Sequence, residues 1–253
     1  MQLHRPAWQR TDVVFDVDRS RRGERTSIDR WLVWRVLFLL ALLMLSRIRP
    51  DCFRGGAKLV RFCFDEEKTT QAAAYLLGKF LGRHNAMALM KLLYLADRRA
   101  LIERGLPITG DHMVSMPHGP VLSQTLDLIN CGRPPGVTSA WVAAIGPREG
   151  HDVELISDPG VDALSEYEIA ILEQVHSQYG HLNQWQLRDF THSLPEWRDP
   201  QGSSVPIDPI AILEEAGLSK DEIRLIVREC EQRYALQQPI LGTGDDSGES
   251  RCA

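Results

Sequence analysis

Between residues 65 and 104 apolar positions recur at helical spacing. Asp65 is placed to cap a helix carrying Thr70, Ala72, Ala73, Ala74, Leu76, Leu77 and Phe80, and Gly82 to end it. Asn85 opens a second helix over residues 86–104. There Leu89, Leu92, Leu93, Ala96 and Ala100 form one stripe, with Met90, Tyr94 and Leu101 beside it. So wide an apolar arc belongs in the middle of a bundle. Gly105 and Pro107 stop the helix.

The period then changes. Residues 112–116, His-Met-Val-Ser-Met, alternate, and Pro117, His118, Gly119 and Pro120 follow as a rigid corner. Pro120 suits the first position of a helix over residues 121–129, where its missing N–H costs nothing. Residues 131–136, with Pro134 and Pro135, read as loop. Residues 141–145 and 153–156 are predicted to pair as a hairpin across residues 146–150. Ser165 with Glu168, and Ser219 with Glu222, form capping-box patterns ahead of apolar periodicity; Asn183 and Asp208-Pro209 open two further helices. The sum is a mainly α (α+β) domain, a compact unit of about six or seven helices with a small β hairpin. No internal repeat suggests a solenoid. The domain is placed at residues 64–236, and the Gly-, Ser- and Asp-rich residues 237–253 read as a disordered tail.

Residues 1–60 read as an N-terminal extension. Residues 1–30 mix Arg, Asp and Gly without an apolar period, whereas residues 31–45 are almost wholly apolar, interrupted at Arg35. A spanning helix needs about 20 apolar residues, more than this run supplies between its flanking arginines. Three readings stand: a short membrane anchor, a buried or partner-docking helix, and translation from a start codon upstream of the native one. No small-residue cleavage pattern follows to suggest a secretory signal.

Charge narrows the function class. The net charge of -5 hides an asymmetry: residues 1–60 hold 12 Lys and Arg against 6 Asp and Glu, leaving 17 against 28 for the rest. An acidic body is poorly suited to phosphate backbones, so no nucleic acid is expected as a partner; a basic protein suits it better. The five cysteines are far apart and contain no C-x-x-C, which points to reduced thiols in a cytoplasm.

Three blocks of residues carry a resemblance: Lys91-Leu92-Leu93-Tyr94-Leu95-Ala96-Asp97, then Pro107-Ile108-Thr109-Gly110-Asp111, then Met116-Pro117-His118-Gly119-Pro120-Val121. In letters, order and spacing they resemble the Panacea domain, the SocA-like antitoxin family. The similarity runs from about Phe64 to about Tyr234 and takes in Leu194-Pro195-Glu196-Trp197. It implies a mainly helical bacterial protein that neutralises a cognate toxin, encoded by an adjacent gene, through direct contact. Some members act instead as adaptors that deliver the toxin to a protease.

Candidate contact residues follow from these blocks. Lys91, Tyr94 and Arg98 lie three and four residues apart, either a polar edge for a partner or a plain solvated face. Asp97 lies beside the apolar arc, where a charge needs hydrogen-bond partners, and is expected to brace the corner of residues 110–120. Gly110 and Gly119 read first as backbone requirements. With Asp111, Met116, His118 and Pro120 they complete the partner-binding candidates. Trp141, Trp185 and Trp197 read as core before interface. His112 and His118 lack Cys or paired carboxylates at ligand spacing, so neither metal nor cofactor is expected. No G-x-S-x-G, phosphate loop, dinucleotide fingerprint or H-E-x-x-H occurs, and catalysis is not expected.

Overall fold

The computed structural model describes residue 60, residues 62–132 and residues 138–237, all within the unit Lys58–Ala253. The anchor-like run at 31–45 and the tail after 237 lie outside the described residues. Among the described residues eight helices and five short strands follow in the order α1 (Glu66–Lys79), β1 (Arg83–Asn85), α2 (Ala86–Arg104), β2 (Met113–Met116), β3 (Gly119–Leu122), α3 (Ser123–Cys131), α4 (Ala140–Ala144), β4 (Asp152–Glu154), α5 (Glu166–Tyr179), α6 (Gln184–His192), β5 (Val205–Pro206), α7 (Pro209–Glu215) and α8 (Lys220–Gln237). The mainly α architecture with small β elements is the one expected, with one helix more.

Helix α2 is the hub. It packs against α1, α3, α5, α6 and α7 and against strands β1 and β3, and Leu89, Leu92, Leu93, Tyr94 and Leu101 are all 1% exposed or less. Asn85 caps it through bonds from the Met87 and Ala88 N–H groups, and left-handed Gly105 ends it at φ 75°. Asp65, Ser165, Asn183 and Asp208 cap α1, α5, α6 and α7 as expected, each side chain accepting a backbone N–H two or three residues on.

Three sequence expectations are corrected. Pro120 does not begin a helix: residues 119–122 form β3, which pairs antiparallel with β2 in the register Met113↔Leu122, Val114↔Val121, Ser115↔Pro120 and Met116↔Gly119. The loop is therefore the two residues Pro117 and His118, a hairpin closed by Gly119 at φ 91°. Helix α3 starts only at Ser123, because its free N–H groups at Gln124 and Thr125 are taken by the Asp111 carboxylate at 3.0 and 2.7 Å.

The hairpin expected at 141–145 and 153–156 forms only in part. Residues 140–144 are the helical turn α4, because Glu66 of α1 accepts the Ser139 hydroxyl at 2.5 Å and the Trp141 N–H at 3.3 Å. That tertiary capture overrides the β propensity of the segment. Ile145 still bridges Leu155, but the principal partner of β4 is β1, in the register Arg83↔Glu154, His84↔Val153 and Asn85↔Asp152. Strand β5 completes the second sheet by pairing with β2.

Candidate functional site

The motif residues converge where α2 meets the loop after it, the β2–β3 hairpin and α6. At the base Asp97, wholly buried, accepts the Thr109 N–H at 3.0 Å and the Thr109 hydroxyl. The Thr109 oxygen in turn accepts the Asp111 N–H at 3.1 Å. Asp111, 1% exposed, then accepts the His112 N–H at 2.6 Å together with the Thr125 hydroxyl at 2.7 Å and the α3 cap bonds. The two acids thereby fix both sides of the hairpin base. Asp97 reaches the corner one residue before Gly110, so its bracing is passed on through Thr109. Burial pushes the Asp97 carboxyl up to about 7, against the Thr109 bonds that favour its charged form; the nearby Asp111 adds to the rise.

Gly110, at φ 67°, is locked from outside: a Cβ there would stand 2.1 Å from the Cys63 carbonyl oxygen. The chain preceding α1 therefore lies directly on the corner, and the Asp65 N–H donates to the Thr109 carbonyl at 2.9 Å.

Nearly two turns earlier on α2, Lys91 is 1% exposed and donates to the Pro120 carbonyl at 2.6 Å, tying the hub helix to β3. Desolvation lowers this ammonium from its ordinary 10.5 to about 7. Tyr94 is fully buried and donates to Glu196 at 2.8 Å; Arg98 donates to the same carboxylate at 2.7 and 3.3 Å. Burial and then the Glu196 charge hold the Tyr94 phenol well above its usual range. Beside Glu196, Trp197 donates to the Met116 carbonyl at 3.1 Å and stacks on His192 with ring centroids 4.0 Å apart. These contacts clamp the segment after α6 across the hairpin. The His192 Nε2 atom is buried without a hydrogen-bond partner, and desolvation, then Lys91, lower its pKa.

Burial sorts the ten contact candidates. Lys91, Tyr94, Asp97, Gly110, Asp111, Gly119 and Pro120 are enclosed, and a side chain without accessible surface cannot touch a partner; they shape the corner from within. Neither the polar edge nor the solvated face proposed for Lys91 and Tyr94 forms, because Pro120 and Glu196 supply internal acceptors. His118 is exposed, while Arg98 and Met116 are half-buried. Trp185, expected in the core, is 49% exposed beside His118, with their rings edge to face at 6.4 Å, and the Arg188 guanidinium lies 5.1 Å from its ring centroid. Trp141, by contrast, is buried as expected. Spacing pointed neither to Glu196 nor to Arg188. Glu196 alone had a signal, its place in the Leu194 to Trp197 block.

Among the described residues no three His, Cys, Asp or Glu side chains converge as metal ligands. Cys63, Cys131 and Cys230 are free thiols, and burial pushes Cys230 up to about 11. No helix among them is long and apolar enough to cross a membrane.

Residues 89–198 match the family described as Antitoxin SocA-like, Panacea domain. The matched stretch starts on α2 and ends just past Trp197, so it contains the Asp97 to Asp111 brace, the hairpin, α6 and the Glu196 clamp. No curated protein and no solved structure matches the chain.

Proposed function

We propose that this chain, carrying a SocA-like antitoxin Panacea domain across residues 89–198, neutralises a cognate bacterial protein toxin in the cytoplasm by binding it directly. The observation that carries the reading is the coincidence of that matched stretch with one internally cross-braced corner. Every element of the corner is tied to α2, through Asp97, Lys91 or the Tyr94–Arg98–Glu196 cluster. A surface fixed in this way loses little conformational entropy when a partner docks.

The contact face is the exposed rim of that corner: the hairpin tip at Pro117 and His118 and the neighbouring part of α6, with the half-buried Arg98 at its edge. An interface of ordinary size, roughly 800 Å² per partner, is enough to cover a toxin's active site or hold it in an inert shape. The ionisable groups inside the corner serve architecture, and the chain acts by association without making or breaking bonds. Delivery of the toxin to a cellular protease is the second reading, implied by the family resemblance.

Co-expression separates the two. The toxin gene adjacent to this one is expressed alone and with this chain, in wild-type and protease-deficient cells. Neutralisation by occlusion gives protection in both strains. Protection lost in the protease-deficient strain assigns the chain to delivery, and lethality in both strains refutes the antitoxin reading.

A further inference from the structure

Two side-chain nitrogens among the described residues are buried without a hydrogen-bond partner, and both are Nε2 atoms of histidines lying flat on an aromatic ring. His84 stacks on Phe80 with centroids 3.8 Å apart and planes at 4°, and His192 on Trp197 at 4.0 Å and 10°. Burial lowers the pKa of each. Their neighbours differ. At His84 the Asp152 carboxylate of β4 opposes that lowering and His176 of α5 adds to it. At His192 burial is reinforced by Lys91 of α2, by Arg188 of its own helix and by His118 of the hairpin, with Asp189 alone opposing them. Lys91 and the ring meet under the hairpin turn: a Cβ on Gly119 would stand 2.8 Å from Thr191 Oγ1, 3.0 Å from Lys91 Nζ and 3.1 Å from the His192 ring. Both nitrogens of an imidazolium are donors, so a proton on His192 leaves a buried N–H with no acceptor. The attraction of a cation to an indole face acts the other way. It weakens against Lys91, whose ammonium, held to about 7 by desolvation, gains its own charge over the same range of pH.

The ring also supports the clamp. Trp197, stacked on it, donates to the Met116 carbonyl at 3.1 Å, and the Arg198 N–H donates to the Ser115 hydroxyl at 3.2 Å. Glu196 is held separately, by Tyr94 and Arg98. Loss of the His192 ring therefore removes the surface on which Trp197 rests, while Glu196 keeps the segment tethered to α2.

We propose that His192 is a proton-operated latch on the corner: in mildly acidic solution it takes up a proton, turns out of its stack on Trp197 and frees the indole from the Met116 carbonyl, so that the hairpin loosens from the segment after α6. In the closed corner the ring titrates below its ordinary 6.5, and once turned out it titrates near that value. Opening thus binds a proton and is favoured as pH falls through that window. The latch is a property of the corner and holds whether or not a toxin docks there. Where one does dock, it meets a rigid face at neutral pH and a loosened one in acid.

The test follows the full chain by NMR from about pH 8 to pH 5, reading the His192 ring, the Trp197 indole N–H and the Gly119 amide. The His192 ring is expected to titrate below 6.5. The indole and the amide should move with the same midpoint, and the hydrogen-exchange protection factor of the indole should fall about fivefold or more across the step. His192→Phe retains a flat ring with nothing to protonate, and is expected to keep the indole protected throughout. His84→Phe alters the matching stack on the other sheet and is expected to leave the step in place. A His192 midpoint at or above 6.5, an indole that stays protected while the ring titrates, or loss of the step in His84→Phe would each overturn the proposal. So would the same step in His192→Phe, which would assign it to Asp97 or Lys91. The wild-type titration decides by itself should a variant fail to fold.

Discussion

At the scale of single residues, two buried ionisable groups hold opposite ends of the corner, and each leaves a signature in pH. Asp97 keeps its proton up to about pH 7 in the folded chain but loses it near 3.8 when unfolded. Between those values the folded chain binds the extra proton, so stability falls as pH rises. Lys91 does the reverse. Its folded value is about 7 and its ordinary one 10.5, so the unfolded chain binds the extra proton between them and stability rises with pH in that window. Together these two groups place a local minimum of stability near neutral pH. Thermal melts from pH 4 to 10 check it: Asp97→Asn should flatten the acid limb, Lys91→Met the alkaline limb, and wild-type-shaped curves in both variants would contradict the assignment. At fixed pH, Asp97→Ala strands the Thr109 N–H and hydroxyl inside the core, and should cost about 3 kcal/mol in denaturant unfolding. Asp97→Asn retains an acceptor and should cost much less.

Among the elements, the β2–β3 hairpin depends on contacts made far along the chain. Gly119 combines a positive φ with Thr191 Oγ1 only 2.8 Å from where a Cβ would stand, so Gly119→Ala should lose about 2 kcal/mol and loosen the hairpin tip. Asp111→Ala removes the cap of α3 from outside that helix. Hydrogen exchange should then accelerate at Gln124 and Thr125, with roughly 2 kcal/mol lost overall. The same distinction marks what the sequence disclosed. Helices α1, α2, α5, α6 and α7 were legible because their caps are local, an Asp, Asn or Ser two or three residues before the N–H it satisfies. The start of α3 was not, since its cap lies twelve residues upstream of Ser123, across a hairpin. The turn α4 was hidden likewise, its Glu66 partner being more than seventy residues away. In the site the letters were readable and the burial was not. Lys91 and Tyr94 have the spacing of an exposed edge, and only the positions of Pro120 and Glu196 turn them inward.

Across the whole molecule, one helix carries both the core and the frame of the site. The apolar surface of α2 is spent on six or more neighbouring elements, while its polar residues are spent on the hairpin and on the segment after α6. The outer face thus inherits the rigidity of the core, a property useful to a protein that acts by fitting another. An enzyme would leave a trace of turnover, whereas a binder is consumed in proportion to its target. The most direct measurement is therefore a titration of the purified chain into the purified cognate toxin that the proposed function requires, following toxin activity. The account predicts a linear loss that ends at a fixed molar ratio, with activity restored when the two are separated. Complete inactivation by a small fraction of an equivalent, persisting after separation, would contradict it.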